Sequence, residues 1–284
     1  MPTEQRDGIR FRFGRNWKSF VSTVDEKAIA EAESGLRRLF PDREFAGKRF
    51  LDIGCGSGLS MLAALRLGAA AAHGIDIDRE SVEATQTLLS RHAAGGNWSA
   101  RQLSVFDADP ATVGAYDAVY SWGVLHHTGG MWLAMDRAAA LVAPGGLFAF
   151  ALYRRTPLCG LWKIEKRVYA AAPKIVQSIF RGTYKAAFVI GLCATGRNPR
   201  SYIAEYHGAR GMDWSHDVHD WLGGYPYEST GPDEIAAFLR HKGFAVTRQF
   251  DRPPVALGLF GSHCDEYVAA RPTAARVDFV PPSP

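Results

Sequence analysis

Cysteine is scarce in this chain of 284 residues: Cys55, Cys159, Cys193 and Cys264 stand far apart, with no C-x-x-C pair. That spacing offers neither a zinc site nor a disulfide framework, and a reducing, cytoplasmic setting is the expectation. No stretch approaches the ~18 consecutive apolar residues of a membrane span. The opening MPTEQRDGIRFRFGRNW is polar and basic, without the apolar core of a secretion signal. Asn97-Trp98-Ser99 therefore reads as a chance match to a glycosylation sequon. Neither charge sign dominates, since 33 Lys and Arg face 29 Asp and Glu for a net +4, too little on its own to argue for nucleic acid. No internal repeat is visible, and no ligand spacing suits tetrahedral zinc or an EF-hand calcium, so no metal is expected.

What is present is an ordinary core-forming balance, 47% hydrophobic, 22% charged and 12% aromatic. At this length it suits one large domain with an elaborated insert. From Arg49 short apolar runs alternate with amphipathic stretches, the pattern of a parallel sheet covered on both faces. Strands are expected at Arg49–Ile53, Ala71–Ile75, Trp98–Leu103, around Ala118–Tyr120 and at Leu147–Leu152. Helices are expected at Leu59–Leu67, Arg79–His92 and Trp132–Leu141, and Pro144-Gly145-Gly146 reads as a turn. The alternation stops for about 75 residues, Tyr153 to Glu228. It resumes with a helix opened by Thr230-Gly231-Pro232-Asp233 and running to His241, a strand at Phe244–Arg248 and a last strand near Glu266–Ala270. The expected organisation is an arm and cap helix (1–44, helical around Ala28–Leu39), a core (45–152), an insert (153–228), the rest of the core (229–272) and a disordered tail (273–284).

The chemistry concentrates in Leu51-Asp52-Ile53-Gly54-Cys55-Gly56-Ser57-Gly58, at the first strand-to-helix junction, outside the carboxyl end of a parallel strand. Alternate glycines allow a sharp turn and leave room for a ligand against the backbone. The spacing is G-x-G-x-G, with Leu59 where a dinucleotide fingerprint would carry its third glycine, and no Lys-Ser/Thr follows as in a P-loop. Gly74-Ile75-Asp76 then puts a carboxylate at the end of the second strand, 18 residues after Gly58, suited to two ribose hydroxyls. The combination signals a nucleoside without phosphates.

From Arg49 to Leu152 these motifs resemble the cofactor-binding half of class I S-adenosylmethionine-dependent methyltransferases, of the small-molecule type found in quinone and secondary-metabolite biosynthesis. The resemblance implies a Rossmann-like, doubly wound α/β sheet of seven strands, with an N-terminal helical cap and a helical insert between the fifth strand and the last helix. It implies that Asp52, Gly54, Gly56 and Gly58 line the methionine part of the cofactor, that Asp76 binds the ribose and that Ile77 packs on the adenine. Ser104-Val105 stands near the adenine amino group. Tyr120-Ser121-Trp122-Gly123-Val124-Leu125-His126-His127 resembles the family segment passing beneath the sulfonium, which adds Ser121 and Trp122 to the cofactor set. Cys55 and Trp17 complete it. Phe13-Gly14-Arg15-Asn16-Trp17, Arg210-Gly211-Met212 and Asp220-Trp221-Leu222-Gly223-Gly224-Tyr225-Pro226 resemble one subgroup of these enzymes, and their roles do not come with the resemblance.

His126 and His127 follow the cofactor-lining strand, where one could serve as general base; the plainer reading is local hydrogen bonding. Asp213-Trp214-Ser215-His216-Asp217-Val218-His219-Asp220 interleaves acids and imidazoles, suiting a His oriented by a neighbouring Asp. Tyr153 to Arg200 holds ten Lys or Arg against Glu165 alone, a local net of +9, interleaved with apolar residues at helical spacing. That pattern fits an interfacial helix at a membrane, a homo-oligomer contact, or a lid over a lipophilic or anionic acceptor. Aromatic residues follow, and Tyr153, Tyr206, His216, Trp221 and Tyr225 are the expected substrate-binding set. The expected acceptor is a hydrophobic or aromatic small molecule, such as a quinone precursor or terpenoid, methylated on oxygen or carbon. The alternatives are methylation of a sugar or lipid-linked glycan and a non-catalytic, cofactor-binding regulatory subunit. Nucleic acid is not expected as a stable partner: no RNA-binding module is appended, and no Asn-Pro-Pro-aromatic tetrad follows the fourth strand.

Overall fold

The computed structural model describes residues 11, 13–41, 46–210, 214–251 and 256–273, except the side chains of residues 207–210, 216 and 256. The arm before residue 11, Gly211-Met212-Asp213, the side chain of His216 and the tail from residue 274 lie outside the described residues.

Strands β1 (Arg49–Ile53), β2 (Ala71–Asp76), β3 (Trp98–Gln102), β4 (Tyr116–Trp122), β5 (Val142–Tyr153), β6 (Ala245–Phe250) and β7 (Cys264–Ala270) form one sheet in the order β3-β2-β1-β4-β5-β7-β6. β1 pairs in parallel with both β2 and β4, and β7 runs antiparallel between β5 and β6. The order reverses at β1, with β2 on one side and β4 on the other. A crevice therefore opens outside their carboxyl ends.

Alternation along the strands feeds two cores. Leu51, Ile53, Val119, Phe148 and Phe150 pack against helices α5 (Met131–Ala140) and α10 (Pro232–His241). Phe50, Ala118, Tyr120 and Ala149 face the other way, toward α2 (Glu26–Leu39), α3 (Leu59–Arg66) and α4 (Arg79–His92). Burial on both faces explains why these strands read as continuous apolar runs. This is the seven-stranded doubly wound sheet that the motif order implied.

Local departures have physical reasons. Pro144-Gly145-Gly146 lies inside β5 rather than in a turn before it. The pairing steps from Tyr116 with Val142 to Ala118 with Leu147, so the extra residues bulge, helped by Gly145 at φ +77°. The stretch ahead of the cap helix is itself helical, α1 (Gly14–Val21), with Phe20 and Val21 buried. α1 packs on α4: the Gly14 amide donates to Asp78 Oδ2 (3.1 Å) and Lys18 pairs with Glu83 (2.6 Å).

Between β5 and α10 run α6 (Cys159–Ala171), α7 (Lys174–Ala194), α8 (Pro199–Arg210) and α9 (Trp214–Gly223). They gather around Phe11, Tyr169, Val218 and Leu222, with Trp162, Phe180, Tyr184 and Trp221 packed alongside. Part of the basic run is paired or buried within the chain. Arg154 meets Asp265 and Arg155 meets Glu234. Arg181 donates to the Tyr169 hydroxyl, and Lys166 is wholly buried, its ammonium 3.5 Å from the Trp221 ring centroid and bonded to the Trp221 carbonyl.

Candidate active site

The glycine loop is held by contacts that a larger residue would break. Gly54 has φ +77°, and a Cβ there would lie 2.5 Å from the Val124 methyls. Gly56 (φ +53°) carries the Trp17 indole, 3.0 Å from where its Cβ would be. Only glycine combines a left-handed backbone with such close neighbours. Asp76 ties this loop to the next: Oδ2 accepts from the Gly56 amide (3.1 Å) and Oδ1 from the Asp78 amide (2.8 Å).

Burial pushes the Asp76 carboxyl up to about 6 despite these amides. Burial, and then the nearby Asp76, push Asp52 up to about 8. Near neutrality Asp76 is therefore largely ionised while Asp52, more deeply buried and beside that charge, keeps its proton. The same pair suits a cationic ligand and repels a phosphate.

A cavity of about 1110 Å³ opens from this loop. Its walls include Gly54, Asp76, Ile77, Ser104 and Val105 from the core strands' ends, Trp17 from α1, Trp122 and His127 after β4, and Tyr184, Phe188, Tyr206, Trp214, Trp221 and Tyr225 from the insert, with Tyr153 at its start. The core's crevice and the insert's aromatic face thus form one space.

Six expected site residues do not line it. Asp52 is buried beneath the loop, near Asp76. The Cys55 thiol turns away toward Thr85 (3.4 Å), Gly58 is the left-handed N-cap of α3 with Thr85 against it, and Gly56 is covered by Trp17. Ser121 spends its hydroxyl on the Ile53 carbonyl (2.9 Å). His126 points into the core, its ring 3.9 Å from that of Tyr153. Both of its nitrogens are buried without a well-formed hydrogen bond, and burial holds it well below the ordinary imidazole value. It is a neutral packing residue, which corrects its place among the candidate bases.

His127 does reach the wall. Nδ1 lies 2.7 Å from the Pro226 carbonyl, which can only accept, so Nδ1 carries a proton, and the Gly224 backbone is a second partner of the ring. Burial lowers this ring to about 4. The described acids and imidazoles of α9 have partners on other helices. Asp217 takes the Tyr206 hydroxyl, and His219 Nδ1 meets the Tyr169 hydroxyl (2.6 Å) and Arg181. Asp220 lines the cavity with Oδ1 buried and unpartnered. Burial raises it to about 8, against the lowering effect of Asn16. This group was not singled out as a base from the sequence; its position beside α1 depends on how two distant helices pack. Among the described residues no group of three or more His, Cys, Asp or Glu is placed to hold a metal ion.

A glycine cradle, a ribose-height carboxylate and a negative field fit an adenosyl sulfonium. Comparison with known proteins gives the same answer. A family model described as a methyltransferase domain matches residues 24–249. A ubiquinone biosynthesis O-methyltransferase from Nitrobacter winogradskyi is 31% identical over 140 residues, 49% of this chain and 50% of that protein. A ribosomal protein L11 methyltransferase from Xylella fastidiosa is 39% identical over 116 residues, 41% of this chain and 35% of that protein. The match therefore spans half or less of each of these two relatives. The crystal structure of magnesium protoporphyrin IX methyltransferase from Synechocystis PCC 6803, with bound SAH, shares the fold at a TM-score of 0.51. It is 17% identical, with 86% of this chain and 83% of that chain covered. The chain belongs to the class I S-adenosylmethionine-dependent methyltransferases.

Proposed function

We propose that this protein transfers a methyl group from S-adenosylmethionine to an oxygen or carbon of a hydrophobic or aromatic small molecule. The observation that carries this reading is the single cavity joining the glycine loop to a wall of tyrosines and tryptophans. When bound, the donor supplies an electrophilic methyl on a cationic sulfur.

The chain's own part is to bind, align and keep water out. Gly54 gives the backbone room for close approach, Asp76 holds the ribose, and Ile77, 45% exposed at the cavity, offers an apolar face to the adenine. Alignment of two reactants in a closed site accounts for up to roughly 7–11 kcal/mol of barrier lowering. The aromatic faces of Trp17, Tyr153, Trp221 and Tyr225 favour a flat or apolar acceptor and stabilise positive charge by about 0.5–2 kcal/mol each.

A carbon acceptor needs little more. An oxygen acceptor must lose a proton, and Asp220 is the better placed to take it. Its Oδ1 has no hydrogen-bond partner, and its proton affinity lies nearer neutrality than that of His127. His127 then serves as a fixed polar contact through its bond to Pro226.

The test is formation of S-adenosylhomocysteine with the purified protein and a panel of quinols, catechols and terpenoid alcohols, beside sugars as comparison. Turnover on the lipophilic members supports the reading. Turnover on sugars alone favours the glycan alternative, and donor binding with turnover on none favours a regulatory subunit.

A further inference from the structure

On an ordinary surface helix the side opposite the core is polar. The α6–α7 hairpin reverses this. Opposite the side of α6 that buries Cys159, Lys166 and Tyr169 stand Leu161, Ile164 and Val168, at 65%, 63% and 50% exposure. Opposite the side of α7 that walls the cavity with Tyr184, Phe188 and Leu192 stand Ile175, Ile179 and Ile190, at 77%, 62% and 68%. Lone exposed aliphatics are common, but an aligned set on two consecutive helices marks a contact surface.

Along the hairpin itself the charge is almost all of one sign. Lys163, Arg167 and Lys174 flank it, and the hairpin's one acid, Glu165, has both carboxylate oxygens buried. Among the described residues no helix is long and apolar enough to cross a bilayer. An apolar outer face flanked by cations, on helices that cannot span, is complementary to the surface of an anionic membrane.

We propose that the outer face of the α6–α7 hairpin docks on an anionic lipid bilayer, the six aliphatics entering the interface and the flanking cations meeting lipid headgroups. Because α7 presents its other side to the cavity, docking sets the aromatic pocket one helix away from the lipid phase, where a lipophilic acceptor would dissolve. That link to catalysis rests on the acceptor reading above; the docking itself does not.

The test is co-sedimentation of the full chain with phosphatidylcholine vesicles, with and without phosphatidylglycerol, at low and raised salt. The wild type should bind the phosphatidylglycerol vesicles, less at raised salt, and bind the neutral ones weakly. The double variant Ile175→Asp/Ile179→Asp should bind at least about tenfold more weakly, with unchanged thermal unfolding and unchanged calorimetric affinity for S-adenosylmethionine. Those two controls separate loss of docking from loss of fold or of the donor site. Absence of vesicle binding at low salt, or equal binding by the variant, overturns the proposal. A dimer in light scattering that the variant dissolves, with no vesicle binding by the wild type, also overturns it and assigns the face to a second copy of this chain.

Discussion

The Trp17 indole lies directly over Gly56, leaving 3.0 Å between the ring and the site of a Cβ on that glycine. An N-terminal helix thereby closes a loop some forty residues away in the chain. Trp17→Ala removes this cover and a π face beside the cationic donor. Calorimetry should show S-adenosylmethionine binding weakened about tenfold, within the range of cation–π contributions, with the circular dichroism spectrum unchanged. Unaltered affinity contradicts the cover.

Gly54→Ala forces a Cβ into the Val124 methyls at a backbone angle that alanine resists. Chemical denaturation should report a loss of about 1–3 kcal/mol. Gly95→Ala, with nothing within 4 Å of its added methyl, should change stability by less than about 0.5 kcal/mol. Equal effects at the two positions contradict the tight contact.

His126 and His127 are neighbours with different duties. His126 is neutral when folded and gains a proton when unfolded, so the unfolded state binds more protons below the ordinary imidazole value of 6.5, and stability falls as pH drops through that range. His126→Phe should flatten the decline of Tm on acidification below pH 6.5 and keep most of the methyl transfer. His127→Phe should lose activity, because its ring is in the cavity wall. A reversal of these two activities contradicts the side-chain placement.

Donor affinity should rise with pH. Asp76 and Asp52 titrate near 6 and 8 in the free protein, and a cation prefers the ionised forms. Calorimetric affinity for S-adenosylmethionine should therefore increase between pH 6 and pH 8. Asp52→Asn should remove the upper part of that rise. A flat profile contradicts the coupling of this pair to the donor.

Asp220→Asn keeps the shape of the side chain and removes the proton acceptor. With an oxygen acceptor, kcat should fall by about 10²–10⁴-fold while calorimetric donor affinity holds. Undiminished turnover assigns the proton to another group or the methyl to carbon.

The central sheet was legible because strand alternation and the Asp52–Gly58 loop are local signals, carried by residues within one turn of each other. α1 was not: Phe13, Trp17, Phe20 and Val21 carry helical spacing, but over a helix of only eight residues, and it rests on α4 through Gly14 and Asp78. Side-chain direction was also hidden. Nothing in Cys55, Ser121 or His126 as letters shows that each turns behind the loop or into the core. The basic run lost members to partners more than 70 residues away, Asp265 for Arg154 and Glu234 for Arg155. Asp220 gained its raised proton affinity from burial that only the folded chain assembles.

The most direct measurement of the whole account is a structure of the protein crystallised with S-adenosylhomocysteine. The ribose should sit on Asp76, the adenine beside Ile77 and Ser104, and the sulfur should open onto the space walled by Trp17, Tyr153, Trp221 and Tyr225. A ligand bound elsewhere, or a sulfur sealed off from the aromatic wall, contradicts it.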